Sequence, residues 1–117
     1  MKVYYPGLSD KCKQFLGVMY QDLFVIAREH GYALTVHGSL ARDIDLVAVP
    51  WSDQEVSSPE VFVEAFIKKA NEVSPTGMAF LNPNDKNPEY KPWGRLCWII
   101  HLGGPYIDLS VMRKVQW

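Results

Sequence analysis

Three aspartates stand at positions where a strand rarely carries a charge. Asp43 and Asp45 lie two residues apart in one apolar run, and Asp108 lies in a second apolar run near the end of the chain. Aspartate is depleted in strands. Because alternate side chains of a strand share a face, Asp43 and Asp45 are predicted to project from the same side, about 6–7 Å apart, with Ile44 and Leu46 on the opposite side.

Carboxylates at this spacing are typical of a site for a divalent cation. Like charges held side by side repel unless a cation neutralises them. Mg²⁺ prefers all-oxygen ligands, and Mn²⁺ accepts the same set. In the second run, Ile107, Leu109 and Val111 form one face, while Asp108 and Ser110 form the other. If the two strands are neighbours, three carboxylates meet on one patch of the sheet. The alternative is that both strands are edges with one wetted face, where aspartates need no partner.

Two histidines and an arginine are further candidates. His37 and His101 lie in predicted strands, and either would give a mixed site suited to Mn²⁺ or Zn²⁺ if it faced the carboxylates. A hydrogen-bonded structural role is the other interpretation of each histidine. Arg42 follows the Gly38-Ser39 pair, where it either neutralises phosphate charge or is simply solvated.

The segment before the penultimate predicted strand combines charge with an aromatic ring. Lys91 and Arg95 flank Trp93. Two cations around an indole suit a nucleotide, because the ring can stack on a base while the cations pair with phosphates. The alternative is that Trp93 closes the core beneath a long loop.

Hydrophobic periodicity predicts the elements that must position these residues. Ser9 or Asp10 is the expected cap of the first helix, Gly31 its stop, and Gly103-Gly104 marks a hairpin. The stretch Ser74–Gly94 is predicted to be irregular, and therefore functional or mobile. The predicted elements are a helix over Asp10–His30, strands over Tyr32–His37 and Asp43–Val49, a polar linker over Trp51–Ser58, a helix opened by Ser58-Pro59-Glu60 and apolar on one face to Val73, and strands over Leu96–Leu102 and Tyr106–Met112.

These elements predict the α/β (α+β) class, with a mixed, largely antiparallel sheet flanked by helices. The 117 residues suit a single domain over 1–117, and the composition (48% hydrophobic, 21% charged) is that of a globular protein. With 12 basic and 13 acidic residues, any contact with nucleic acid must be a local patch.

Targeting signals and thiols bear on location. The first residues do not read as a signal peptide, and the longest apolar stretch is too short to span a bilayer, so no membrane partner is expected. Cys12 and Cys97 belong to no metal or redox motif and are interpreted as reduced structural thiols. A cytoplasmic protein is expected.

Gly38-Ser39, then Asp43-Ile44-Asp45, then a later strand aspartate, resembles the signature of the polymerase-β-like nucleotidyltransferase superfamily. The continuous string from Gly38 to Leu46 is especially similar to the small bacterial nucleotidyltransferases, and also to a group of uncharacterised phage and prophage proteins that share the following Pro50-Trp51. The resemblance covers residues 35–49 and 106–111.

The resemblance implies roles residue by residue. Gly38 and Ser39 would cradle the β- and γ-phosphates of an NTP, and Asp43 and Asp45 would hold Mg²⁺. Asp108 would complete a second metal site or deprotonate the attacking hydroxyl. The implied reaction is transfer of a nucleotidyl group to a hydroxyl of a nucleic acid, a protein or a small molecule.

Two features depart from the family pattern. Only three residues separate Ser39 from Asp43, where the family normally has a longer segment with a helical turn. Family members also add a helical domain, so the acceptor site is expected to come from the Ser74–Gly94 loop, from a homo-oligomer or from a protein partner. Two alternatives follow: an inactive module of this fold that binds a nucleotide or a protein, and a metal-dependent phosphodiesterase using His37 or His101.

Overall fold

The computed structural model describes residues 6–51 and 56–113 and shows a mixed α+β fold. Two helices pack against a six-stranded, mostly antiparallel sheet, which confirms the predicted fold class. The elements are α1 (Leu8–Glu29), β1 (Tyr32–His37), β2 (Ile44–Pro50), α2 (Pro59–Val73), β3 (Phe80–Leu81), β4 (Glu89–Lys91), β5 (Arg95–His101) and β6 (Tyr106–Met112).

The strands follow the order β1-β2-β6-β5-β3, and β4 also pairs with β5. β2 and β6 are parallel, and each of the other pairs is antiparallel. Both aspartate-bearing strands are therefore interior: β2 lies between β1 and β6, and β6 lies between β2 and β5. This position excludes the edge-strand explanation for their aspartates.

The face of the sheet turned toward the helices is apolar and buried. In β2, Ile44, Leu46 and Ala48 are at most 1% exposed, and Ile107 and Leu109 of β6 are equally buried. Alternation along each strand then sends Asp45 and Asp108 to the opposite face. The predicted division of faces is confirmed for Asp45 and Asp108, whereas Asp43, predicted to begin the strand, precedes β2 and is buried.

The ends of the helices differ in how they are stabilised. The predicted cap of α1 by Ser9 or Asp10 is wrong, because both are helical and the N-cap is Gly7, at φ 83° with no side-chain hydrogen bond. Gly31 at φ 88° confirms the predicted left-handed stop. Ser58 caps α2 as predicted, since its hydroxyl accepts a hydrogen bond from the backbone N–H of Val61.

The stretch Ser74–Gly94 is more ordered than its sequence predicts. It contains β3, β4 and two short 3₁₀ turns, at Pro83–Asp85 and Pro92–Gly94. The strands are two and three residues long and form through pairing with β5, so they leave no periodic signal in the sequence. Positions 52–55 of the predicted linker lie outside the described residues.

Two further findings concern the thiols and the helices. Cys12 and Cys97 are both buried and unbridged, as predicted. Within the described ranges, neither helix has the length and apolar character needed to cross a membrane.

Tyr32 links β1 to α2 and gives stability a predictable dependence on pH. Its ring stacks on Phe62 with centroids 4.6 Å apart, and its hydroxyl donates to the Ser57 carbonyl oxygen at 2.7 Å. Burial, with a smaller contribution from the charge of Glu60, raises the pKa of Tyr32 to about 12.

We expect the free energy of unfolding to fall above about pH 10, where tyrosine in the unfolded chain begins to lose its proton. Because the folded pKa is the higher one, this contribution is complete below about pH 10 and is lost by about pH 12. Tyr32→Phe should flatten the decline measured by urea denaturation from pH 9 to 11, whereas Tyr90→Phe, at a 73% exposed position, should not. Equal slopes for the two variants would contradict the assignment.

Candidate metal centre

Three carboxylates from two adjacent strands converge on one point. Asp45 of β2 and Asp108 of β6 are direct partners in the parallel ladder, and Asp43 immediately precedes β2. Each offers one oxygen, and the three oxygens lie within 4.8 Å of one another. The convergence predicted from the spacing of the aspartates is therefore confirmed.

The cluster extends from the exposed face of the sheet toward the interior. Asp43 is buried, at 5% exposure, while Asp45 and Asp108 are partly exposed. On the helix side, burial raises the pKa of the Cys12 thiol, and the negative charges of Asp43 and Asp45 raise it further. The negative charges of the carboxylates therefore act on a residue of α1, Cys12.

The donor set and its spacing fit a hard divalent cation. All three donors are carboxylate oxygens, which Mg²⁺ and Mn²⁺ accept. Of three ligands at about 2.1 Å from an octahedral Mg²⁺, at most one pair is opposite, about 4.2 Å apart, and neighbouring ligands stand about 3.0 Å apart. Oxygens within 4.8 Å of one another are therefore close enough to converge on one ion, and would draw nearer to each other on binding it.

Gly38 lies directly against the Asp45 carboxylate. Its φ is +73°, and a Cβ placed on it would stand 2.7 Å from Asp45 Oδ2. Position 38 therefore requires glycine twice over: the left-handed backbone disfavours other residues, and the carboxylate occupies the space that a side chain would need. The Gly38-Ser39 backbone consequently borders the cluster, with Ser39 exposed.

The short loop between β1 and β2 still delivers Asp43 to the cluster. Leu40 adopts φ +59°, an uncommon conformation for a non-glycine residue, and its side chain packs against the core. Together with Gly38, it gives the loop two left-handed residues, which reverse the chain sharply. Three residues between Ser39 and Asp43 are thus enough to bring Asp43 beside Asp45.

A cavity of about 310 Å³ is lined by both acidic and basic side chains. Asp45 and Asp108 line one part of it, and Lys91 and Arg95 line another. The two cations singled out in the sequence therefore share a cavity with two of the three aspartates. This juxtaposition comes from the pairing of β5 with both β4 and β6.

The two basic side chains differ in the hydrogen bonds that they make. Lys91 Nζ contacts Glu89 Oε1 at 3.0 Å, in a pair exposed enough for the lysine to exchange partners. Arg95 Nε is shielded from solvent and has no hydrogen-bond acceptor among the described residues. Its guanidinium thus has donor capacity that this part of the protein leaves unused.

The cavity is also lined by Cys97 and Ser110, which are not among the site residues predicted from the sequence. Cys97 Sγ and Ser110 Oγ are 3.0 Å apart, and both side chains are buried. Ser110 shares the face of Asp108, which its spacing indicated, but Cys97 carries no signal in the sequence. Only the pairing of β5 with β6 brings them together.

Of the remaining residues predicted from the sequence, His37 lines the cavity, whereas His101 and Arg42 do not. His37 is the strand partner of Asp45 and lines the cavity, whereas His101 packs between aromatic rings and does not contribute to that lining. Arg42 is exposed in the β1–β2 loop and is not among the residues that line the cavity. Trp93 lies in the turn before β5, but its side chain is outside the described part of the structure.

Comparisons with protein families, curated proteins and solved structures find no match for the chain. Its function is therefore inferred from the geometry of the site.

Gly38→Ala is predicted to weaken cation binding by displacing the Asp45 carboxylate. Gly77→Ala is the matched control, because Gly77 has φ +71° but open space where its Cβ would stand. Both substitutions should cost about 1 kcal/mol of stability through backbone strain. In thermal melts with increasing Mn²⁺, only Gly38→Ala should shift the half-maximal Mn²⁺ concentration upward, by about tenfold, which is typical when a ligand loses its orientation. An equal Mn²⁺ response in both variants would count against the contact.

Proposed function

We propose that this chain transfers a nucleotidyl group from an NTP to a hydroxyl acceptor, with Asp43, Asp45 and Asp108 holding Mg²⁺ or Mn²⁺. The observation that supports the proposal most strongly is the convergence of the three carboxylate oxygens within 4.8 Å. Gly38 supports it further, because the glycine of the family-like motif lies against the carboxylate of Asp45.

The triphosphate is proposed to lie along the border between the loop and the carboxylates. The Gly38-Ser39 backbone and the Ser39 hydroxyl would donate to the β- and γ-phosphates. Lys91 and Arg95 share the cavity of Asp45 and Asp108, where their positive charge favours an anionic substrate. A chain of net charge −1 binds such a ligand through local cations of this kind.

The reaction requires an acceptor hydroxyl beside the carboxylates. Its oxygen attacks the α-phosphorus and forms a new P–O bond, while the bond to the β-phosphate oxygen breaks and pyrophosphate leaves. Asp108 takes the hydroxyl proton on a carboxylate oxygen; in the alternative role it would hold a second metal, and the proton would pass to solvent. A bound divalent ion would offset the negative charge that builds on the phosphate oxygens.

His37 favours a second candidate, a metal-dependent phosphodiesterase. It is the strand partner of Asp45 and lines the same cavity. In that reaction water replaces the acceptor hydroxyl, and an imidazole beside the carboxylates could accept its proton. The buried, unbridged thiols suit the cytoplasmic location proposed for either enzyme.

Asp45→Asn is predicted to abolish transfer of label from an α-labelled NTP while leaving the fold intact. The loss should be at least about 100-fold, the scale of one missing electrostatic contact to the transition state. Asp108→Asn should also remove transfer but retain NTP binding, because a base or second metal acts mainly in the transition state. Asp22→Asn, which removes an exposed carboxylate from α1, is the matched control and should leave transfer unchanged.

The acceptor set should include tRNA, DNA ends, protein extract, small alcohols and water, with pyrophosphate release measured in parallel. Wild-type protein that binds NTP with metal but labels none of these would favour the inactive module. Release of product to water alone, lost in His37→Gln, would favour the phosphodiesterase. A wild type that fails to bind NTP would contradict the proposed function.

A further inference from the structure

A row of aromatic rings crosses three neighbouring strands beside the carboxylates. Phe80 of β3 stacks on His101 of β5, with ring centroids 5.5 Å apart and planes 23° from parallel. His101 in turn contacts Tyr106 of β6 at 5.8 Å, with the planes tilted by 50°. We call these three residues the aromatic row.

The strand register places the aromatic row on the same face of the sheet as the aspartates. Phe80 pairs with His101, and His101 pairs with Tyr106, so the three side chains share one face. Tyr106 and Asp108 are two residues apart in β6 and therefore point the same way. The aromatic row thus begins at Tyr106, two residues along β6 from the proposed metal ligand Asp108.

The separation suits one nucleoside unit. Asp108 pairs with Ile99, and His101 lies two residues further along β5. A two-residue step of about 6.7 Å and one strand spacing of about 4.8 Å place the Cα atoms of Asp108 and His101 roughly 8 Å apart, and the second strand spacing to β3 places Phe80 roughly 12 Å from Asp108. A cation and an α-phosphate at the carboxylates would extend toward the rings, so that a ribose and its 5′ carbon need to bridge only the remainder of this gap.

The exposure of the row indicates a small planar ligand. Phe80 is 47% exposed, although it stacks on a neighbour, whereas His101 and Tyr106 are partly buried. The exposed ring of Phe80 is of the size that one nucleobase covers, and every base offers a π-face for stacking.

We propose that Phe80, His101 and Tyr106 form the subsite for the nucleobase of the NTP, with the Phe80 ring as the stacking surface. This assignment rests on the proposed function, because the α-phosphate must lie at Asp43, Asp45 and Asp108. Stacking is tolerant of base identity and strengthens with ring area, so purine nucleotides bind more tightly than pyrimidine nucleotides.

The test compares a ligand that has a base with one that has none. Equilibrium binding of ATP and of inorganic tripolyphosphate, each with Mg²⁺, is measured for wild type and Phe80→Ala. The substitution should weaken ATP binding about tenfold, within the range reported for loss of one base–aromatic stack, and leave tripolyphosphate unchanged. Phe80→Trp should restore ATP binding because it restores a ring.

Control variants and the remaining outcomes keep the assignment separate from the proposed function. Tyr90→Ala removes an aromatic ring that is 73% exposed on β4, and it should affect neither ligand. Equal weakening of both ligands by Phe80→Ala, or no weakening of either, would overturn the subsite. So would a selective loss of ATP binding in Trp93→Ala but not in Phe80→Ala. A wild type that binds neither ligand would instead contradict the proposed function.

Discussion

The parallel pairing of β2 with β6 is the constraint on which the site depends. It fixes Asp45 opposite Asp108 in the middle of the sheet, where the backbone ladder prevents the two strands from moving apart. The apolar partners Ile44 and Leu46 hold the register, because a slip of one residue would turn the aspartates into the core. Folding energy from the apolar face thus holds carboxylates close together on the other face. A divalent cation bound among them would take its ligands from both strands.

Features that depend on local pattern could be predicted from the sequence. The alternation of Ile44 and Leu46 with Asp45 is enough to assign faces, because side-chain direction in a strand has a fixed period. Ser58 identified the start of α2, since its hydroxyl can satisfy a backbone N–H near the helix terminus. These signals need only a few consecutive residues.

Features that depend on distant pairing could not be predicted in the same way. β3 and β4 exist because β5 offers them backbone partners, so the aromatic row begun by Phe80 has no local signature. The left-handed Leu40 is a second case: the core contact of its side chain outweighs an unfavourable backbone conformation that the sequence alone would not assign to leucine. The cap of α1 at Gly7 was missed because Ser9 and Asp10 are stronger capping residues on propensity alone.

Anomalous diffraction from crystals of the protein grown with Mn²⁺ will reveal whether the three carboxylates bind one cation. If the three carboxylates form one cation site, an anomalous peak will lie within coordination distance, about 2.1–2.2 Å, of oxygens from Asp43, Asp45 and Asp108. Asp45→Asn crystals grown in the same way should lack the peak. Manganese bound only elsewhere, or none bound between the carboxylates at millimolar Mn²⁺, would contradict the account.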